Sequence, residues 1–121
     1  MKKKSKDNTI YLEDFCTRIG NKTSKVFTGR DRGIEVRDLS KIDEIYEKYN
    51  SLIIHIPEGT FSITPSFLEE FFVNIVLSHS LDDFRNNVKI INHGYQIEAP
   101  LEEAIDRIVQ KKNALQSWSR C

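Results

Sequence analysis

A chain of 121 residues is long enough to bury one sheet-and-helix core without staples, and its 18 lysines and arginines are matched by 18 aspartates and glutamates. That balance gives no whole-molecule field to draw in nucleic acid or a membrane surface. No apolar stretch approaches the roughly 20 residues that span a bilayer. The opening lysines Lys2, Lys3, Lys4 and Lys6 lead into Asp7, Asn8 and Thr9 rather than into the apolar core of a secretory signal. Cys16 and Cys121 have neither metal-ligand spacing nor the density of a disulfide scaffold. The expectation is a cytoplasmic protein with reduced thiols, a disordered basic tail over 1–8, a single domain over 9–115 and a short tail over 116–121.

Thr9 to Phe15 alternates imperfectly through Ile10 and Leu12 and predicts an edge strand, wet on one side. Ile19-Gly20-Asn21-Lys22 reads as a turn, and Lys25 to Thr28 as a second strand through Val26 and Phe27, paired with the first as a hairpin. Gly29-Arg30-Asp31-Arg32-Gly33 is a turn that lacks the Lys-Ser/Thr ending of a phosphate-binding loop. After it Val36, Leu39, Ile42, Tyr46 and Tyr49 fall on one helical face, predicting a helix from about Gly33 to Tyr49 with a restart point at Ser40.

The apolar run Leu52 to Ile56, bounded by Asn50-Ser51 and Pro57-Glu58-Gly59, reads as a buried strand. A helix follows. Thr64 can cap it, Pro65 suits its first position, and Ser66 with Glu69 offers an overlapping capping box. Leu68, Phe71, Phe72, Ile75 and Val76 supply its buried stripe. Leu81 to Asn87 reads as a polar connector, Val88 to Ile91 as the last strand, and Pro100 onward as a final helix burying Leu101, Ala104, Ile105, Ile108 and Val109. Strands alternating with helices in this order predict an α/β (α+β) fold: a mixed sheet of about four strands, with three helices mainly on one face.

The central strand–loop–helix unit gathers the polar groups of Ser62, Thr64 and Ser66 where unpaired amides and partial positive charge collect. Catalytic constellations are lacking. Glu69 and Glu70 are adjacent on a helix, hence about 100° apart, and read as first-turn stabilisers rather than a carboxylate pair. His55, His79 and His93 have no short metal spacing. His55 reads as a hydrogen-bonded core histidine and His79 as a helix C-terminal cation. Arg30 and Arg32 can clamp a carboxylate or phosphate of a partner or nucleotide, or can tie down the chain's own Asp31, Glu35 or Asp38. Phe67, Phe71 and Phe72 read as core, with room for one to face outward as a partner anchor.

Thr64-Pro65-Ser66-Phe67-Leu68-Glu69-Glu70, directly after the strand Leu52 to Ile56, resembles the signature of the STAS-like domain-of-unknown-function family. Gly29-Arg30-Asp31-Arg32-Gly33, leading into a helix with Val36-Arg37, is similar to that family's lead-in to its first helix. Ile90-Ile91-Asn92 with the helix from Pro100 resembles its last strand and helix. The resemblance implies a fold like that of anti-sigma factor antagonists. Those small cytoplasmic proteins of bacterial-type signalling bind a histidine-kinase-like ATPase through the loop and helix after a central strand, and a serine at that helix start is phosphorylated to switch binding. Ser66 is the positional match. The chain departs from the antagonist pattern in having no aspartate or glycine beside Ser66, in Pro65 before it, and in His55 where a strand aspartate is usual. The function expected is a non-catalytic regulatory module without cofactor or metal, binding a protein partner through Thr64, Ser66, Phe67, Glu69 and Glu70. The alternative is a small nucleotide- or phosphate-binding protein or enzyme using Arg30, Arg32 and the Ser66 loop.

Overall fold

The computed structural model describes residues 8–19 and 22–119. The basic lysines of the start, the Gly20-Asn21 turn and Cys121 lie outside them. The architecture is mixed α/β. Its centre is a three-stranded sheet in the order β1 (Thr9–Tyr11), β5 (Leu52–His55), β7 (Val88–Ile91), with both ladders parallel. Two small pairs flank it: an antiparallel hairpin of β2 (Thr17–Ile19) and β3 (Lys22–Ser24), and a parallel pair of β4 (Val26–Phe27) and β6 (Ser62–Ile63).

Parallel neighbours need crossovers, and the helices supply them. α1 (Arg30–Ser40) and α2 (Ile42–Tyr49) lead from β1 towards β5, whereas α3 (Pro65–Ser78) and α4 (Leu81–Asn87) lead from β5 to β7. Because the strands advance across the sheet in one direction, right-handed crossovers set both helix pairs on the same face. The burial pattern agrees. Leu52 and Ile54 of β5 and Ile10 of β1 are buried, while Ile53, His55 and Tyr11, which point the other way, are half-exposed. α5 (Glu98–Ser119) packs on α3 and completes the helical layer, its backbone running beyond residue 115. No described helix is long and apolar enough to cross a membrane.

Several sequence expectations need correction. The central sheet is wholly parallel rather than mixed, and the described residues form five α-helices rather than three. The first strand ends at Tyr11, where Leu12–Phe15 winds into a 3-10 turn with Glu13 and Asp14 in it, and it pairs with β5 instead of hairpinning with Val26-Phe27. Phe27, fully buried, pairs across to Ile63 instead. The long first helix breaks at Lys41, whose backbone is left-handed (φ 59°, ψ 35°). That break leaves Leu39 60% exposed and Tyr49 at the surface, though both lie on the predicted stripe, and it turns Ile42 and Tyr46 inward. The connector at 81–87 is helical because Ser80 caps it, its hydroxyl accepting from the Asp83 amide at 3.0 Å, with Phe84 as the buried anchor.

α3 is the hub of the molecule. Phe67, Phe71 and Phe72 are all buried, so none of the three is an outward anchor. They stand in a row of ring contacts from Phe27 through Phe67, Phe71 and Phe72 to Phe84, with centroids 4.9–5.7 Å apart. α1 crosses α3 at Gly33, where a Cβ would stand 2.6 Å from the Phe67 carbonyl oxygen.

Candidate functional site

The loop from Pro57 to Thr64 joins β5 to α3 and is held from several sides. The Phe61 amide donates to the Lys25 carbonyl (2.9 Å), the Ile63 amide to the Tyr95 hydroxyl (2.9 Å) and the Thr64 amide to the Phe27 carbonyl (3.1 Å). The Lys25 ammonium donates to the Glu58 carbonyl (2.8 Å), and the Thr60 hydroxyl to the Pro57 carbonyl (2.6 Å). Thr64 is the N-cap of α3: its hydroxyl accepts from the Phe67 amide at 3.4 Å and from the Gly29 amide at 3.1 Å, so one side chain starts α3 and secures the lead-in to α1. Thr64→Ala is expected to cost about 0.5–2 kcal/mol in chemical denaturation. An unchanged midpoint would show that both amides find water as readily.

Ser66 is not a second cap. Its hydroxyl accepts from Arg107 Nη1 of α5 at 3.3 Å, so the Ser66–Glu69 capping box does not form. Glu69 and Glu70 lie in the second turn of α3, past the first-turn positions assigned to them. The Glu69 side chain is only 4% exposed, and three cations surround it: Arg30 Nη2 at 3.1 Å, Lys111 Nζ at 3.5 Å and Arg107 Nη1 at 3.8 Å. A carboxylate removed from water needs such compensation. Glu70 takes Arg30 Nη1 at 3.0 Å and Arg37 Nη1 at 3.5 Å, and Arg37 also donates to the Glu70 carbonyl at 2.7 Å. Bonding to Glu69, followed by Glu70, holds the Arg30 pKa above its ordinary value.

Arg30 and Arg32 therefore do not converge on one anion. Arg30 joins α1 to α3, whereas Arg32 binds Glu35 at 2.8 Å and donates to the Phe15 carbonyl. Of the internal partners weighed for the pair, Glu35 is the one engaged by a hydrogen bond. Sequence reasoning missed Arg107 and Lys111, whose spacing of four along α5 puts both on the face that meets α3. It also missed Phe61. At 83% exposed, Phe61 is the most exposed large apolar side chain among those described, and its position in a turn-bounded segment with no helical or strand stripe was the available signal.

A second cluster lies at the carboxyl end of the parallel sheet, the edge at which open α/β sheets take ligands. Tyr11 ends β1, His55 ends β5, and His93 follows β7. The Tyr11 and His55 rings stack at 4.6 Å and 14°, and His55 Nδ1 lies 3.0 Å from His93 Nε2. Their ring centroids are 5.2 Å apart with planes inclined by 23°, close to the greatest separation that the nitrogen distance and two ring radii allow, so the two nitrogens face each other nearly in line. His55 is thus on the open face of the sheet rather than in the core. His79 caps the end of α3, its Nε2 2.8 Å from Glu47 Oε2. No group of three or more potential metal ligands is found among the described residues.

No family model, curated protein or solved structure matches the chain.

Proposed function

We propose that this chain is a non-catalytic regulatory module of STAS-like fold that docks a protein partner through the 57–64 loop and the opening turns of α3. The partner implied by the resemblance is a histidine-kinase-like ATPase, and no cofactor takes part. The observation that carries the reading is Phe61: a fully presented aromatic ring on a loop fixed by backbone hydrogen bonds on both sides. Ordering the backbone that carries such a ring in advance lowers the cost of binding, and aromatic anchors dominate protein interfaces. Phe61 takes the anchoring role that the sequence offered to one of the α3 phenylalanines.

Ser66 provides the means of switching. It is half-buried at the start of α3 with Arg107 already on its hydroxyl. A phosphate there would meet a guanidinium and the positive end of a helix, with Glu69 and Glu70 opposing it in part. The phosphate- or nucleotide-binding alternative is the weaker, because Arg30 and Arg32 are already occupied by the chain's own carboxylates and carbonyl.

The test is calorimetric titration with a histidine-kinase-like ATPase of the class that binds anti-sigma factor antagonists. Phe61→Ala should lower affinity by at least about tenfold, a loss of 1.4 kcal/mol, while changing stability by no more than about 0.5 kcal/mol because the ring is exposed. Ser66→Asp should remain folded and also bind more weakly. Equal binding by the unmodified protein and both variants would remove the loop as a docking surface and reduce Ser66 to a structural residue.

A further inference from the structure

The turn that carries His93 is bent into an unusual conformation. His93 (φ 49°) and Gly94 (φ 95°) are both left-handed, a region uncommon outside glycine in which asparagine, aspartate and histidine are the enriched exceptions. Two hydrogen bonds to Asn92 close the turn, from the Gly94 amide to Asn92 Oδ1 at 3.2 Å and from the Tyr95 amide to the Asn92 carbonyl at 3.0 Å. Only the contact with His55 ties the His93 side chain to the sheet by a hydrogen bond among the described residues. One residue beyond Gly94, Tyr95 accepts the Ile63 amide and so reaches the 57–64 loop. Cavities of about 320 Å³ and 500 Å³ flank the dyad, with His93 lining both. The ring has room to swing away.

We infer that the His55–His93 dyad is a proton-operated latch, closed while the two imidazoles share a hydrogen bond and open when both are protonated, and that it sets the order of the 92–95 turn and of the loop beyond it. Proton counting makes the device sharp. With both rings neutral, one donates its N–H to the bare nitrogen of the other, and the accepting ring carries its own N–H on the far side. A first proton from solvent can settle on the outer nitrogen of the donating ring, which leaves the contact intact and strengthens it. A second proton has only the facing nitrogen of the accepting ring to bind. There it replaces the acceptor by a donor and sets two imidazolium charges against each other, so the contact cannot persist.

The surroundings fix the direction. Burial first, then the charge of His93, lower the His55 pKa below its ordinary 6.5. A folded state that binds protons less readily than the unfolded chain loses stability as pH falls. The latch is therefore fully closed above about 6.5 and is lost as pH drops through the lowered value for His55. Tyr11 and Glu13 face the dyad from β1 and its 3-10 turn, and Glu58 from the segment after β5. Lys89 lies on β7 in register with Ile53, the next residue of β5 on the same sheet face. The two carboxylates and Lys89 act on the dyad with opposite sign, so burial and the charge of His93 set the direction.

The link from latch to docking rests on the function proposed above, and the experiment is therefore read on the protein alone. Backbone amide exchange, corrected for its intrinsic pH dependence, is followed at Ile63 from about pH 8 to about pH 5. Protection of the Ile63 amide should fall several-fold across that range. His93→Asn tolerates the left-handed backbone and removes the second ring; in it, protection should become independent of pH, and the His55 ring should titrate at higher pH than in the unmodified protein. Constant protection in the unmodified protein, or the same pH dependence in His93→Asn, would overturn the latch. Failure of Phe61→Ala to weaken docking would leave this result standing, so the two readings fail separately.

Discussion

Phe71→Ala is expected to lower the free energy of unfolding by about 3–5 kcal/mol, the range for truncating a well-packed aromatic core residue. Phe71 has no exposed surface, with ring neighbours on both sides, Phe67 at 5.7 Å and Phe72 at 4.9 Å. α3 is packed against α1, α2, α4 and α5, so no single neighbour can move to fill the space without disturbing another. Ile75→Ala, one turn on and 2% exposed, should cost about 2–5 kcal/mol by the same mechanism. Against the 5–15 kcal/mol of a typical domain, either loss is a large fraction of the total. Chemical denaturation should show a lower midpoint with an unchanged slope, and an unaltered midpoint in both variants would place this stripe outside the core.

Gly33→Ala sets two effects against each other. Alanine is the better helix former by about 1 kcal/mol. Here, however, the new methyl group would stand 2.6 Å from the Phe67 carbonyl oxygen, 2.9 Å from Glu70 Cβ and 3.2 Å from Phe67 Cα. The first and last of these belong to backbone, which yields only if α1 and α3 separate. Such separation would also stretch Arg30 from Glu69 and Glu70, and Arg37 from Glu70. Overpacking of this kind costs about 1–3 kcal/mol, so a net loss is expected, and Gly33→Val, with a bulkier β-branched side chain, should lose more. A gain in stability for Gly33→Ala would mean that propensity decides and that the helices are not in contact at this point.

Much of this fold could be read from residue order. The strand at Leu52, the helix opening on Thr64-Pro65, the strand from Val88 to Ile91 and the buried Ala104, Ile105 and Ile108 of the last helix stand where period and capping chemistry put them, with Leu101 and Val109 of that stripe only half-buried. The errors of strand pairing share a cause: each concerns partners distant in sequence. Thr9–Tyr11 and Val26-Phe27 were legible as extended chain, but alternation says nothing of which strand lies beside which, and their actual neighbours are β5 and β6. The break at Lys41 was invisible because no glycine marks it. Ser80 followed by Leu81-Asp82-Asp83 was a readable cap that a polar composition obscured.

The candidate site was half legible. Thr64 and Ser66 were singled out because their positions at a helix start are local facts. Arg107 against Ser66 and Glu69, and His93 against His55, join segments 38 to 41 residues apart, and no spacing rule announces them. Glu69 illustrates the limit well: its neighbour Glu70 looks equivalent in the sequence, yet only Glu69 is buried.

The pairing of the central sheet also determines when the protein can form. Each of its ladders joins strands separated by a pair of helices, so neither can arise as a local hairpin. Loop closure must precede any reward from those hydrogen bonds, and topologies of this kind fold more slowly than ones built from neighbouring segments. During synthesis β1 waits for the whole of α1 and α2 to emerge before its partner exists, and β5 stays open on its other edge until Ile91 has been made. In that interval α1 and α3, which meet at Gly33, are the elements able to collapse together and shield the exposed strand. They cover the face of β5 and not its open edge, so the growing chain stays open to misassociation there until β7 arrives.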